Sequence, residues 1–121
     1  MTLKMARKII IIEDDLDTLE IMSLILAEEG YEILSADNAK PLHEVHTHQP
    51  MLILMDNRLT AGSGGEFCKK FKNDPATMHF PVVLVSANMG LETIALECNA
   101  DGYLKKPFDI ADLIELVKRF S

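Results

Sequence analysis

The stretch Met51-Leu52-Ile53-Leu54-Met55-Asp56 decides the fold: five apolar residues run without a polar break into a carboxylate. A strand covered on one face alternates apolar and polar residues, so an unbroken apolar run describes a strand buried on both faces, as in a parallel sheet sheathed by helices. In open sheets of this kind ligands gather beyond the carboxyl ends of the strands. Asp56 stands at such a mouth. The same event occurs earlier, where Ile9 to Ile12 meet Glu13, Asp14 and Asp15, and two later strand-like runs end in Ser86 and Lys106. Strand ends therefore supply acids, a hydroxyl and an ammonium.

Outward from this stretch, short apolar runs alternate with segments of helical period, and no internal repeat or low-complexity tract interrupts them. Lys8 to Ile12 reads as strand one. Leu16 to Glu29 places Leu19, Met22, Ile25 and Leu26 on one helical face and stops at Gly30, which can close the helix in the left-handed conformation. Tyr31 to Ala36 is strand two, Pro41 to Thr47 a short helix, Met51 to Asp56 strand three, and Gly65 to Lys72 a helix ended by Asn73-Asp74-Pro75. Val82 to Ser86 is strand four, and Leu91 to Cys98 a helix closed at Asn99, which tolerates the left-handed cap. Tyr103 to Lys105 is strand five, and Asp109 is the expected cap of a last helix, Ile110 to Phe120. With right-handed crossovers this is an α/β fold: a three-layer, doubly wound, flavodoxin-like sheet of five parallel strands, for which the order 2-1-3-4-5 is a common solution.

Length and composition agree. The chain has 121 residues, the size of one compact domain, and an apolar fraction of 48%, enough to cover a sheet on both sides. Its 12 basic and 19 acidic side chains give a formal charge of −7, which argues against direct nucleic-acid binding. Cys68 and Cys98 lack CxxC spacing and read as buried free thiols in a reducing compartment. No apolar run approaches the roughly 18 residues of a membrane span, and the basic N-terminus is not followed by a signal-peptide core. The expected location is the cytoplasm.

In the order 2-1-3-4-5, strands one and three are neighbours, so Glu13, Asp14 and Asp56 converge at the switch point, with Ser86 on one flank and Lys106 beyond strand five. Carboxylates within a few ångström of one another repel by roughly 1 to 4 kcal/mol per pair, depending on the effective dielectric. A cation must offset that. A hard divalent ion does so, and Mg²⁺ is the usual choice where one or two carboxylates, waters and an incoming phosphoryl group complete an octahedron. Lys106 adds a second positive charge. Asp56 can then act as a nucleophile toward a phosphoryl donor, with Ser86 donating a hydrogen bond to one of the transferred oxygens.

Taken together, the Glu13-Asp14 pair, Asp56, Ser86-Ala87 and Lys106-Pro107-Phe108 resemble the response-regulator receiver domain of two-component signalling over almost the whole chain. Leu59, Ser63-Gly64, Ala100-Asp101 and Tyr103 are also similar to that family. The resemblance implies a phosphoacceptor signalling domain rather than an enzyme, beyond self-phosphorylation and autodephosphorylation. It implies that Asp14 binds Mg²⁺ directly, Glu13 mostly through water, and that Asp56 and the backbone carbonyl of Arg58 complete the protein ligands. Asp56 would accept phosphate from a histidine kinase or phosphotransfer protein, and Lys106, before a cis Pro107, would pair with Asp56 or its phosphate. Ser86 and Tyr103 would form the switch, and the surface around the fourth helix, fifth strand and fifth helix would be read by a downstream protein or a fused output domain. That face is also where the resemblance allows a homodimer.

The chain departs from the family pattern in places. Thr60 stands where proline is usual, and Ala61-Gly62-Ser63-Gly64-Gly65 reads as a flexible loop. The interval from Ser86 to Lys106 is about two residues shorter than the family habit, which predicts a shortened or distorted fourth helix. Arg58 and Asn88, each two positions past a site residue, would by resemblance line the phosphoryl pocket. Asp15 and Asp17 read as capping or solvating the first helix, with Asp15 an outside candidate for the metal shell. His43, His46 and His48 read as solvated, and the glycine run lacks the GxxxxGK[ST] of a phosphate cradle. A haloacid-dehalogenase-type phosphatase would need a second aspartate where Arg58 stands, so its general acid is missing. The remaining alternative is a phosphorylation-independent, receiver-like interaction domain.

Overall fold

The computed structural model describes residues 7–59 and 62–121. In chain order the elements are β1 (Lys8–Ile12), α1 (Leu16–Glu28), β2 (Glu32–Ala36), α2 (Lys40–His43), α3 (Val45–His48), β3 (Leu52–Met55), β4 (Arg58–Leu59), β5 (Gly62–Ser63), α4 (Gly64–Asn73), β6 (Val82–Ser86), α5 (Leu91–Glu97), β7 (Gly102–Lys105) and α6 (Ile110–Lys118). The main sheet has the order β2-β1-β3-β6-β7 with every pairing parallel. Setting aside the two-residue strands β4 and β5, which pair only with each other, this is the expected order 2-1-3-4-5.

The pleat explains why the central strands carry no polar residue between their ends. Ile10, Ile12, Ile53, Met55, Val82 and Leu84 point to one face, where Leu42, Val45, Cys68, Phe80, Leu91 and Ala95 meet them. Ile9, Ile11, Leu52, Leu54, Val83 and Val85 point to the other, against Met22 and Leu26 of α1 and Leu113, Leu116 and Val117 of α6. Successive side chains on a strand alternate faces, so a strand between two helical layers has no solvated position to fill with a polar residue. Replacing a central residue such as Leu54, fully buried, by Ala would cost about 2 to 5 kcal/mol.

Several local features follow the sequence closely. Gly30 (φ 93°) and Asn99 (φ 59°) take the left-handed conformation after α1 and α5, and the Lys106–Pro107 bond is cis. Cys68 and Cys98 are buried free thiols, and burial pushes the Cys68 thiol up. The helix expected as the fourth, here α5, is short, seven residues from Leu91 to Glu97.

Other expectations need correction. The segment 41–47 is not one helix but two single turns, because Glu44 (φ −111°, ψ 21°) leaves the helical region between them. The glycine run, expected as a loop, takes regular structure where it is described: Gly62 and Ser63 pair with Leu59 and Arg58, and Gly64 opens α4. Thr60 and Ala61 lie outside the described residues. Asp109 stands at the N-cap of α6 but its side chain makes no capping bond; its backbone carbonyl instead accepts the N–H of Asp112 (3.0 Å) and Leu113 (3.2 Å). Asp15 likewise stands at the N-cap of α1 and uses its carboxylate to hold the Thr18 hydroxyl.

At the amino end of the sheet, Lys72 leaves α4 and donates to the carbonyls of Met78 (3.2 Å) and Phe80 (2.8 Å), and pairs with Asp101 at 2.6 Å. The same Asp101 oxygen accepts the N–H of Val82 at 2.7 Å, which fixes the start of β6. Among the described residues, no helix is long and apolar enough to cross a membrane.

Candidate functional site

Three of the singled-out residues lie one position past their strand, yet each is still held by the sheet. The N–H of Glu13 donates to the carbonyl of Ala36 (3.0 Å), that of Asp56 to Ile12 (3.0 Å) and that of Lys106 to Ser86 (3.0 Å). The ladder therefore runs one residue beyond the apolar core, and the first polar residue after each run inherits a fixed backbone. Ser86 is the last residue of β6, opposite Lys105 in β7.

These side chains converge at the carboxyl edge between β1, β3 and β6. The Lys106 ammonium bridges two of the acids, pairing with Glu13 and, at 3.2 Å, with Asp56. Glu13 is almost wholly enclosed, with 3% of its side chain exposed. Burial raises its pKa to about 6, a shift that the nearby Asp56 carboxylate reinforces and Lys106 only partly offsets. For Asp56, burial alone would act upward, but hydrogen bonding with Glu13, the charge of Lys106 and the Arg58 N–H (3.3 Å) together hold it below the ordinary carboxylate value. Burial acts to lower the Lys106 pKa, and the two carboxylates outweigh it and raise it. The two neighbouring acids are thus pushed apart, Glu13 upward and Asp56 downward, the expected result for like charges in one pocket.

Ser86 is buried, and its hydroxyl donates to Asn88 Oδ1 at 2.8 Å while accepting the Asn88 N–H at 3.3 Å. Asp14 is partly buried beside the pocket. Arg58 is exposed, in the short strand after Asp56. Tyr103 lies on β7 opposite Leu84 of β6 and is 42% exposed.

The expected Mg²⁺ can be weighed against these donors. Among the described residues no three acidic, imidazole or thiolate side chains are gathered at metal-ligand spacing, and Lys106 lies between Glu13 and Asp56. The chemistry of the donor set nevertheless suits a hard ion: Glu13, Asp14, Asp56 and the Arg58 carbonyl are all oxygen donors, and three carboxylates stand against one ammonium. The residues fit such a group provided that Lys106 yields its hold on Glu13.

Sequence reading passed over Asn57. It is buried, its side-chain oxygen accepts the N–H of Gly65 at 2.9 Å, and its carbonyl accepts the N–H of Gly64 at 2.8 Å. Gly64 is required by contact rather than by dihedral angle, since a Cβ there would collide with the Asp56 carbonyl. A signal for order was present: Ser63-Gly64-Gly65-Glu66 has the spacing of a capping box, and Ser63 Oγ accepts the Glu66 N–H at 3.1 Å.

The architecture defines a doubly wound, flavodoxin-like α/β domain with an acidic carboxyl edge, and comparison places it further. The family model of the response regulator receiver domain matches residues 9–118, and the chain belongs to that family. A curated relative, the phosphate regulon transcriptional regulatory protein PhoB of Escherichia coli, is 33% identical over 117 residues, covering 94% of this chain and 51% of that protein. The chain spans about half the length of the curated relatives it matches. A response regulator from Chloroflexus aurantiacus superposes with a TM-score of 0.88 at 25% identity, covering 96% of this chain and 98% of that one. The signal receiver domain of a signal transduction histidine kinase from Syntrophus aciditrophicus does so with 0.86 at 29% identity, covering 95% and 89%.

Proposed function

We propose that this receiver domain takes a phosphoryl group onto Asp56 and answers by changing the surface around α5, β7 and α6. The observation that carries the reading is the Lys106 bridge: one ammonium held between the Glu13 and Asp56 carboxylates, at the carboxyl edge where open α/β sheets place their ligands. A carboxylate oxygen of Asp56 attacks phosphorus of a phosphohistidine on a histidine kinase or phosphotransfer protein. The P–N bond breaks and its electron pair leaves with the imidazole. Lys106 already lies beside the oxygen that would carry the group, and Ser86 can turn its hydroxyl from Asn88 to a phosphoryl oxygen. Glu13, Asp14, Asp56 and the Arg58 carbonyl would hold Mg²⁺, which supplies neutralisation of the charge on the transferred oxygens.

Phosphorylation adds about 1.5 to 2 negative charges, enough to bias a two-state element. Tyr103, outward-facing here, would turn inward as Ser86 moves. The exposed Met89 and Leu96 flank the same region, which suits a protein partner or a homodimer there. Since the chain matches about half of a transcriptional regulator and also the receiver of a histidine kinase, the response would be passed either to a fused output domain or to a separate protein. With a charge of −7 this part itself does not hold nucleic acid.

Intact-protein mass after incubation with acetyl phosphate tests the reading. A gain of about 80 Da that requires Mg²⁺ and is absent in Asp56→Asn is expected for one phosphoryl group. Lys106→Ala should take up some phosphoryl group yet leave the surface unswitched. A wild type that gains nothing, with or without Mg²⁺, would favour a phosphorylation-independent interaction domain and shift attention to the seven-residue α5.

A further inference from the structure

An isolated helix leaves its first N–H groups without partners. In α4 three are satisfied: Gly64 N–H by the Asn57 carbonyl (2.8 Å), Gly65 N–H by Asn57 Oδ1 (2.9 Å), and Glu66 N–H by Ser63 Oγ (3.1 Å). Two of these bonds come from one residue outside the helix, and that residue directly follows Asp56. Asn57 is therefore a cap supplied from the end of β3. The approach is as close as backbones allow, because the Gly64 Cα packs on the Asp56 carbonyl with no room for a side chain. On its other side Asp56 is tied to β1 through its N–H to Ile12 at 3.0 Å. Its main chain is thus pinned between the sheet and a helix start.

We propose that Asn57 is a positioning residue for phosphoryl uptake, anchoring the Asp56 backbone to the first turn of α4 so that its carboxylate meets Lys106 and Ser86 in register. The role rests on the receiver reading above. Asn57 touches no reacting atom; it acts through the residue before it. An aspartate at this position keeps an oxygen acceptor for Gly65, whereas an alanine leaves that N–H without a protein partner and frees the junction. Displacement of a reacting group by about 1 Å can cost up to a hundredfold in rate, so a small drift is enough.

The test compares Asn57→Ala, Asn57→Asp and Ser63→Ala with wild type, by the initial rate of acetyl-phosphate-dependent mass gain over a range of donor concentrations with Mg²⁺. Rates are scaled to the folded fraction from circular dichroism. Asn57→Ala should lower the maximal rate about tenfold, with the half-saturating donor concentration moved less than about twofold. Asn57→Asp should stay within about threefold of wild type. Ser63→Ala removes a cap from the same helix without touching Asp56, and should lower stability while keeping the rate. The role is overturned if Asn57→Ala reacts at the wild-type maximal rate, if Asn57→Asp is slowed as much as Asn57→Ala, or if Ser63→Ala is slowed equally, since frayed helix ends would then explain the loss. Wild type without any mass gain would instead overturn the phosphoacceptor reading and this role with it.

Discussion

Two lysines at opposite ends of one sheet show how the same side chain sits in a balanced network in one place and in an unbalanced one in another. At the amino end, Lys72 has three acceptors for its three N–H donors: two neutral carbonyls and one carboxylate, Asp101, which is itself occupied by the Val82 N–H. At the carboxyl end, Lys106 is shared by Glu13 and Asp56, with Asp14 alongside, so negative charge exceeds positive. The first network is balanced and closed. The second is short of cations, an excess of negative charge that the proposed divalent ion would offset.

The comparison can be broken at either end. The largest expected effect is from Lys72→Met, which leaves Asp101 and two carbonyls without their donor and should cost about 3 kcal/mol in chemical denaturation. Its phosphoryl uptake below the transition should match wild type; a loss of uptake would mean that the two ends are not separable. Next, Glu13→Gln should stabilise the metal-free protein by about 2 kcal/mol at neutral pH. The sign follows from the raised pKa: the folded protein holds the Glu13 proton more tightly than the unfolded chain, so stability falls as pH rises from the ordinary 4.5 toward about 6. Asp56, held low, acts in the opposite sense and withdraws its contribution as pH falls through 3.8. Denaturation in EDTA from pH 4 to 8 should show a wild-type decline over the Glu13 window that Glu13→Gln lacks. An unchanged slope would remove the claim that the carboxyl edge is strained.

Smaller changes sharpen the contrast. Asp101→Asn keeps an acceptor for Val82 N–H and loses only the charge, so about 1 kcal/mol is expected. Glu32→Gln removes the surface partner of Lys8, 4.0 Å away and largely solvated, and should change stability by less than about 0.5 kcal/mol. If this substitution rivalled Lys72→Met, burial would not be what distinguishes the lysines.

The carboxyl edge was legible because its logic is local to each strand: a run such as Ile9 to Ile12 announces a buried strand, and the first polar residue after it is carried to the edge by the ladder. Connectivity alone then brings Glu13, Asp56 and Lys106 together. The Lys72 network was not legible, since its acceptors are backbone carbonyls of Met78 and Phe80, which any residue offers. Asn57 was hidden for a related reason: a polar residue beside Asp56 has no period to betray it, and its partner lies eight positions on in a glycine pair that reads as looseness. The break at Glu44 depends on backbone angles that a segment with Pro41 and Leu42 does not advertise.

The placement of the two tyrosines turns the molecule into its own optical probe. The chain has no tryptophan, and Tyr31 is sealed at 6% exposure beneath the Arg7 guanidinium, 4.7 Å from its ring centre. Tyrosine emission reachable by a dissolved quencher such as acrylamide therefore comes mainly from Tyr103, 42% exposed on β7. If the ring turned inward with Ser86 as proposed, it would pass out of the quencher's reach, and its emission would report that change in unmodified protein.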